Sequence, residues 1–484
     1  MKYFQSVKRL KISSSFMYFD LIHDNLLKQT NSITNICLQL FSNTVDPKIS
    51  NETTKEKSKT KTATEKPKSK SSALEQLEKE PYFQEVKDLI PESIFKPRKT
   101  GGHALYLINK DTAYEMLFPI LPYLQTPSAG ESTLIEINPG LGYLTDLLLN
   151  NWSREITLYE SNAKFYKAIQ ERNDAHASRI NLVHSNFYDI WKLSYQDQHS
   201  KSRKVDSLMN NIKPIPWGKE FCTTMIGIAP SDSFINHLII SLMFQYSLML
   251  WGRHQLFLVM SPRDYIRYTC DRTYGYGLYR APAIMFQILF EFKILCKLPR
   301  KSFLPWYKEP KRTRKFQKLQ NIDSEFLYLV RIEPRKNLYD LCKSQDLKLL
   351  WYFIRQNLLS RKSRIIPTLE LLVPNCGPKL ITMAYTQRDI IPKKTMNING
   401  FDIAIESDNI YEKDFYPNLT IFTEFGDLNP SQILSLFIEF ISWPEFSESP
   451  FISSMDNFLL KFENTDEILG VEDEDEHLEE NENE

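Results

Sequence analysis

A strand that runs into a glycine turn and then into a helix, at residues 133–145, is the feature that most constrains the fold of this chain. The apolar run ends in a Gly-x-Gly turn at Gly140 and Gly142. Glycine lets the backbone approach a ligand where a Cβ atom would collide. Leucines then recur over residues 144–149 at the spacing of one helix face. The pattern predicts a strand–turn–helix unit whose turn holds a ligand.

A second predicted strand, residues 156–159, follows this helix and ends at Glu160. A carboxylate at this position can accept hydrogen bonds from both hydroxyl groups of a ribose. Strand, turn, helix, strand and acid together indicate a Rossmann-like nucleotide-binding domain. The alternative is an ordinary glycine-containing turn of any α/β protein.

The chain continues as alternating helices and strands, followed by a region with helical spacing only. We predict helices at 112–121, 163–174 and 234–251, and strands at 180–184, 223–228, 255–260, 292–296 and 325–332. A polar stretch at 194–214 interrupts the pattern, and the last two strands are predicted to be antiparallel. This order favours an α/β fold with a mostly parallel sheet covered on both faces.

Five segments are predicted along the chain. They are a mitochondrial presequence and extension (1–45), a disordered Lys/Ser/Thr-rich linker (46–72), a Rossmann-like domain (73–334), a smaller, mainly helical C-terminal domain (335–470) and a disordered acidic tail (471–484). The linker has too few large apolar side chains to offset the entropy cost of ordering it. The start is basic and lacks acids until Asp20, which is typical of a mitochondrial transit peptide. An arbitrary basic N-terminus is the alternative.

The formal net charge is zero, but this average hides a basic start and an acidic end, so it does not exclude nucleic-acid binding. The six cysteines are scattered without a Cys-x-x-Cys pair, so no metal site is predicted. No apolar run approaches the length of about 18 residues that a membrane-spanning helix needs, so membrane insertion is not predicted.

The glycine turn departs from the dinucleotide-binding fingerprint because it has no third glycine. With Glu136 and Asn138-Pro139 before it, the turn resembles the S-adenosylmethionine turn of the rRNA adenine N6-dimethyltransferase family. It is most similar to the mitochondrial transcription factor B branch of that family. Short matches of the same branch occur at 215–217, 252–253, 329–334 and 440–444.

The resemblance implies a Rossmann-like, S-adenosylmethionine-dependent methyltransferase fold with a smaller C-terminal helical domain. It also implies a set of cofactor-binding residues, in which Asn186 stands where the family usually places an aspartate for the adenine. These residues are Glu136, Asn138, Gly140, Gly142, Glu160 and Asn186.

The loop that carries the family's chemistry matches Ile228, Ala229, Pro230 and Ser231. Pro230 aligns with the family's proline. Ile228 replaces the asparagine that holds the target amine, and Ser231 replaces the aromatic residue that stacks on the flipped adenine. Such stacking is worth about 1–3 kcal/mol per base. The loop therefore predicts no catalytic residues, and a vestigial role for S-adenosylmethionine.

Basic residues interleave with aromatic ones in several clusters after residue 260. Cations attract phosphates and aromatic rings offer platforms for unpaired bases, although a solvated charged face is the plainer interpretation. The predicted nucleic-acid-binding residues are Arg263, Arg267, Tyr268, Arg272, Lys311, Arg312 and Arg314. Further members of these clusters are Tyr274, Tyr276, Arg280, Arg361, Lys362 and Arg364.

The resemblance implies a mitochondrial transcription initiation factor, located in the matrix or nucleoid. Its implied partners are the single-subunit mitochondrial RNA polymerase, promoter DNA in its melted form and an HMG-box mitochondrial DNA-binding factor. One alternative is an active mitochondrial rRNA adenine N6-dimethyltransferase acting on small-subunit rRNA. Another is a noncatalytic ribosome-assembly factor with the same fold.

Overall fold

A computed structural model describes residues 79–95, 104–125, 132–173, 179–200, 202–229, 233–272, 274–305, 323, 325–386, 395–398, 401–404 and 419–464. Several predictions lie outside these residues. They concern the segments 1–45, 46–72 and 471–484, and the residues Pro230, Ser231, Lys311, Arg312 and Arg314.

A seven-stranded mixed sheet forms the centre of the fold. The strands of the chain are β1 (Tyr106–Leu107), β2 (Thr133–Ile137), β3 (Ile156–Tyr159), β4 (Ile180–Val183), β5 (Thr223–Ile228), β6 (His254–Met260), β7 (Phe290–Pro299), β8 (Phe303–Leu304) and β9 (Phe326–Pro334), with a hairpin of β10 (Thr395–Ile398) and β11 (Phe401–Ala404). The order in the sheet is β4-β3-β2-β5-β6-β9-β7. The first five are parallel, and β9 pairs antiparallel with both β6 and β7.

Helices accompany the sheet and continue into a helical region after β9. They are α1 (Pro81–Val86), α2 (Glu92–Phe95), α3 (Lys110–Leu124), α4 (Tyr143–Asn151), α5 (Ala163–Asn173), α6 (Ile190–Ser200), α7 (Lys204–Leu208), α8 (Ser233–Phe244), α9 (Pro262–Thr269), α10 (Ala281–Leu289), α11 (Leu338–Leu341), α12 (Leu347–Asn357), α13 (Ile365–Glu370), α14 (Cys376–Thr386), α15 (Pro430–Ser442) and α16 (Phe451–Asn464). In the part of the chain that the structure describes, no helix is long and apolar enough to cross a membrane.

The core lies along the central strands, where β5 and β6 are buried over their whole length. Burial on both faces is what a parallel sheet covered by helices requires, and it explains why these strands read as continuous apolar runs. Leucines of α4, including Leu144 and Leu148, pack into this core with residues of α3 such as Met116 and Leu117.

The predicted α/β fold and its antiparallel last strands are confirmed, but the predicted bounds of one helix are wrong. The helix predicted at 234–251 ends at Phe244, because Gln245 and Ser247 take positive φ angles of 56° and 51°. The polar stretch at 194–214 contains helices α6 and α7. Asp197 joins them by accepting hydrogen bonds from the backbone N–H groups of Lys204 and Val205, at 2.7 and 2.8 Å.

Contacts divide the chain into two units. Among the described residues, one unit contains 79–189 and 211–449, with the sheet, α1 to α5 and α8 to α15. The other contains 190–210 and 450–464, with α6, α7 and α16. Within the first unit, Trp351 of α12 contacts Phe244 of α8, with ring centroids 5.0 Å apart. The domain boundary predicted at residue 334 falls inside this unit and stays a prediction.

Candidate cofactor cleft

The carboxyl ends of four neighbouring parallel strands meet at one edge of the sheet. The N–H of Asn138, after β2, donates to the carbonyl of Tyr159 at 2.8 Å, and the N–H of Glu160, after β3, donates to the carbonyl of Val183 at 3.1 Å. Ligands of open α/β sheets bind outside these strand ends. We therefore treat this edge as the candidate cofactor cleft.

The glycine turn lies at this edge in the left-handed region of backbone space. Asn138, Gly140 and Gly142 have φ angles of 57°, 59° and 76°, and Gly142 precedes the first residue of α4. A Cβ atom on Gly140 would lie 2.9 Å from Cδ1 of Tyr106. Glycine is needed at position 140 because of its backbone angle and because the Tyr106 ring packs directly against it.

Glu160, the predicted ribose ligand, already has protein partners. Its carboxylate accepts from the backbone N–H of Gly140 at 3.0 Å, from that of Asn162 at 2.7 Å and from the Tyr106 hydroxyl at 3.5 Å. The side chain is fully buried, and this burial raises the pKa of Glu160 to about 7 against the opposing effect of the hydrogen bonds. A ribose can reach this carboxylate only if Tyr106 moves away.

Two further predicted ligands, Glu136 and Asn138, are buried beside the turn. Glu136 accepts a hydrogen bond of 2.7 Å from Thr145 Oγ1 of α4, and burial raises its pKa to about 8. This contact joins β2 to α4, so the Glu136 side chain links the two elements on either side of the glycine turn. Both polar atoms of the Asn138 amide are buried without a hydrogen-bond partner among the described residues, and such groups are costly to leave unpaired.

Asn186, predicted to hold the adenine, is bound within its own turn. Its Oδ1 accepts from the N–H of Tyr188 at 3.2 Å and its Nδ2 donates to Asp189 Oδ2 at 2.9 Å. The neighbouring Phe187 is fully buried against Tyr159, with ring centroids 5.0 Å apart. Phe187 therefore belongs to the core rather than to a surface that could receive a base.

The Tyr188 side chain packs beside Gly227 of β5, close to the carboxyl end of that strand. A Cβ atom on Gly227 of β5 would lie only 2.5 Å from the Tyr188 hydroxyl, so glycine at 227 makes room for this ring. The hydroxyl is buried without a partner in the described structure, and burial raises the pKa of Tyr188.

The donor set at the cleft fits an adenosyl cofactor. The buried carboxylate of Glu160 and the unpaired amide of Asn138 offer hydrogen-bonding groups of the right chemistry. The Tyr106 ring packs against Gly140, where a Cβ atom would lie 2.9 Å from its Cδ1. Tyr106 was not among the cofactor-binding residues predicted from the sequence.

The segment matching the catalytic loop is described only at its start. Ile228 and Ala229 are 4% and 6% exposed, and Ile228 packs in the main core. The side chain at 228 therefore offers neither a hydrogen-bond acceptor nor a surface at the cleft.

The predicted nucleic-acid-binding residues differ in their solvent exposure, and the prediction for Tyr268 is wrong. Tyr268 is 1% exposed and its hydroxyl donates to Asn236 Oδ1 at 2.9 Å, so its ring lies in the core, unable to stack on a base. Arg263 and Arg267 are half-buried on α9, whereas Arg272 is exposed and donates from Nη1 to the carbonyl of Asp427 at 2.8 Å.

Metal-ligating side chains do not gather in groups of three or more anywhere in the described ranges.

The parallel strand order, the glycine turn after β2 and the acid after β3 define a Rossmann-like methyltransferase fold of the S-adenosylmethionine-dependent type. The family model "Ribosomal RNA adenine dimethylase" matches residues 106–396, more than half of the chain. The chain belongs to this rRNA adenine dimethylase family.

The chain is also similar to named proteins and to a solved structure. The Drosophila melanogaster protein "Dimethyladenosine transferase 2, mitochondrial" is 38% identical over 394 residues, covering 79% of this chain and 86% of that protein. The Homo sapiens protein of the same name is 24% identical over 331 residues, covering 65% of this chain and 81% of that protein. A crystal structure of a dimethyladenosine transferase from Plasmodium falciparum superposes with a TM-score of 0.39 and 13% identity, covering 69% of this chain and 96% of that one.

Proposed function

We propose that this chain is a mitochondrial transcription initiation factor built on the rRNA adenine dimethylase fold. In this role it assists the single-subunit mitochondrial RNA polymerase in melting promoter DNA and in holding the open complex. An HMG-box mitochondrial DNA-binding factor is a further proposed partner. The observation that supports this best is Tyr106, whose ring packs against Gly140 and whose hydroxyl contacts Glu160 in the candidate cofactor cleft.

The position of Ile228 supports the same proposal. Methyl transfer to an adenine amine requires groups that hold the amine and stack on the base. Ile228 is an apolar side chain packed in the core, so it provides no hydrogen-bond acceptor. Promoter melting requires no covalent chemistry, so it is compatible with an apolar residue at position 228.

The mitochondrial location is part of the proposal. The relatives from Drosophila melanogaster, Homo sapiens and Bos taurus all carry mitochondrial names. The basic start of the chain, with Lys2, Lys8, Arg9 and Lys11, agrees with this location.

A promoter-dependent run-off assay with the cognate mitochondrial polymerase tests the proposal. We expect transcripts from a linear duplex promoter only when this protein is present. A template whose promoter is already melted as a mismatched bubble should need the protein much less. Equal transcript yields with and without the protein on the duplex template would exclude the role.

A second candidate function is mitochondrial rRNA adenine dimethylation, which the names of the relatives favour. The glycine turn, Glu160 and the unpaired Asn138 amide also fit a cofactor-binding enzyme. Transfer of labelled methyl groups from S-adenosylmethionine to a small-subunit rRNA hairpin tests this candidate. Transfer that is abolished by Glu160→Ala, in a variant that remains folded, would favour the enzyme over the transcription factor.

A further inference from the structure

Three segments that are far apart in the sequence meet on one surface of the larger unit. They are residues 271–280 without Thr273, residues 359–365 and residues 421–428, and we call this surface the cationic–aromatic face. The Gly426 N–H donates to the Arg361 carbonyl at 2.8 Å, and the Tyr279 hydroxyl donates to the Leu428 carbonyl at 2.7 Å. Two of the sequence clusters, around Arg272 and around Arg361, are thus brought together.

Two guanidinium groups lie over aromatic rings on this face. The guanidinium carbon of Arg361 lies 4.4 Å from the centroid of the Tyr276 ring, and that of Arg364 lies 5.4 Å from the centroid of the Phe422 ring. Both distances are in the range of cation–π attraction. These contacts hold cations and flat rings side by side at the surface.

Large aromatic surface remains open to solvent beside these cations. Phe422 is 66% exposed and Tyr274 is 49% exposed. An isolated exposed apolar residue is common and needs no explanation. On this face, exposed rings lie next to arginines, and hydrogen bonds hold the three segments together. Such a surface can bind a flat and negatively charged partner.

The charge on the face is positive but modest. The cations are Arg272, Arg280, Arg361, Lys362 and Arg364, and the acids are Asp271, Glu424 and Asp427. Two of the acids cap local turns: Asp271 Oδ1 accepts from the Tyr274 N–H at 2.6 Å, and Asp427 Oδ2 accepts from the Glu424 N–H at 2.9 Å. Ring stacking should therefore contribute much of the binding energy, which favours unpaired bases over a duplex whose bases are stacked inside.

We propose that the cationic–aromatic face binds a single-stranded nucleic acid, with a base stacked on Phe422 and phosphates near Arg272 and Arg364. The inference rests on the proposed function, because it names the surface that holds the melted promoter strand.

Equilibrium binding to matched single-stranded and duplex DNA tests the face. Base stacking on an aromatic ring is worth about 1–3 kcal/mol. We therefore expect Phe422→Ala to bind single strands roughly 5- to 150-fold more weakly than wild type. The double variant Arg272→Glu/Arg364→Glu should weaken single-strand binding further and reduce its dependence on salt. Duplex affinity should change little in Phe422→Ala.

Matched controls lie outside the face. Phe118→Ala removes another exposed ring, 78% exposed, and Lys213→Glu/Lys336→Glu makes the same change in charge at exposed positions. Both controls should stay within about twofold of the wild-type affinity. All variants replace exposed side chains, and circular dichroism melting should show that each remains folded.

The outcomes separate this inference from the proposed function. Wild-type protein that supports run-off transcription while Phe422→Ala and the double arginine variant bind single strands normally would overturn the inference alone. A wild type that binds no single strand would also overturn it. Single-strand binding that depends on Phe422, without any run-off activity, supports the face and excludes the transcription role. RNA and DNA oligonucleotides of one sequence then show which nucleic acid the face prefers.

Discussion

Two buried carboxyl groups beside the glycine turn, those of Glu160 and Glu136, accept hydrogen bonds from different partners. Glu160 is held by backbone N–H groups and by the Tyr106 hydroxyl, whereas Glu136 is held by the Thr145 hydroxyl. Burial disfavours the charged form of a carboxyl group and raises its pKa. In this protein the pKa is raised to about 7 for Glu160 and to about 8 for Glu136. The cleft therefore carries two carboxyl groups whose charge state changes near neutral pH.

The raised pKa of Glu136 predicts a loss of stability as pH rises. Its folded pKa of about 8 lies above the ordinary value of 4.5, so between these values the folded chain binds more protons than the unfolded chain. The free energy of unfolding then falls with pH, by up to about 1.4 kcal/mol per pH unit for this group. Glu136→Gln stays neutral and should lose less stability between pH 6 and 8.

Urea denaturation at several pH values measures this difference. The exposed Glu171→Gln should follow the wild-type dependence and serves as the control. A Glu136→Gln variant with the same pH dependence as wild type would show that this carboxyl group is ionised in the folded protein.

The position of Tyr106 leads to a prediction about S-adenosylmethionine binding at the cofactor cleft. Tyr106→Ala removes the ring that packs against Gly140 and the hydroxyl that contacts Glu160. We expect this variant to bind S-adenosylmethionine at least about tenfold more tightly than wild type, a gain in binding free energy of about 1.4 kcal/mol or more. Tyr106→Phe keeps the ring and removes only the hydroxyl contact, so it should remain close to wild type. Isothermal titration calorimetry gives both affinities. Weaker binding in Tyr106→Ala would mean that the ring supports the cofactor instead of blocking it.

At the scale of elements, the position of Tyr106 depends on a short strand pair. In β1 and β8, Tyr106 pairs with Leu304 and Leu107 pairs with Phe303. The N–H of Ile108 donates to the Ser302 carbonyl at 2.9 Å, which extends the same attachment. This strand pair and the packing of the Tyr106 ring against Phe165, with centroids 4.8 Å apart, hold the ring over the glycine turn.

Helix α15 shows how local sequence signals start an element. The Asn429 side chain accepts from the Gln432 N–H at 2.8 Å, and the Gln432 side chain accepts from the Asn429 N–H at 3.0 Å. This reciprocal capping box is followed by Pro430 at the first helical position.

Asn429→Ala should lower the free energy of unfolding by about 1 kcal/mol, because it leaves backbone N–H groups of the first turn unpaired. Chemical denaturation measures the change. Asn429→Ser keeps a capping oxygen and should recover most of it. A neutral effect of the alanine variant would show that other groups or water satisfy this turn.

At the scale of the whole molecule, the sheet and the helices α11 to α15 lie within one unit. Arg335, just after β9, donates from Nε to the Ile288 carbonyl at 3.1 Å and from Nη2 to the Gln287 carbonyl at 3.0 Å. Trp351 of α12 is 1% exposed and packs on Phe244 of α8. Such contacts link the stability of the helical region to that of the sheet.

Trp351→Ala should therefore destabilise both regions together. Truncation of a buried tryptophan costs about 3–5 kcal/mol. In native-state hydrogen exchange, the slow amides of β6 and of α12 should lose protection by similar amounts. Loss of protection confined to α12 would show that the helical region unfolds separately, in agreement with a domain boundary near residue 334.

The sequence by itself determined the order of strands and helices around the cleft, because apolar periodicity and glycine positions are local signals. The strand before Gly140, the helix after Gly142 and the acid at Glu160 could all be predicted in this way. The late strands β7 and β9 were predictable from segments rich in apolar residues. The break after Phe244 was not, since the left-handed backbone at Gln245 depends on the surrounding fold.

Only the tertiary structure decided which side chains are accessible. Tyr268 reads as a surface aromatic among arginines, yet it is buried because its helix face packs inward onto Asn236. Tyr106 reaches Glu160 across 54 positions of sequence, and Arg361 reaches Gly277 across 84. Contacts between such distant positions depend on how strands and helices pack, which local propensity does not encode. The contacts of Tyr106 with Gly140 and Glu160 and the cationic–aromatic face both arise from packing of this kind.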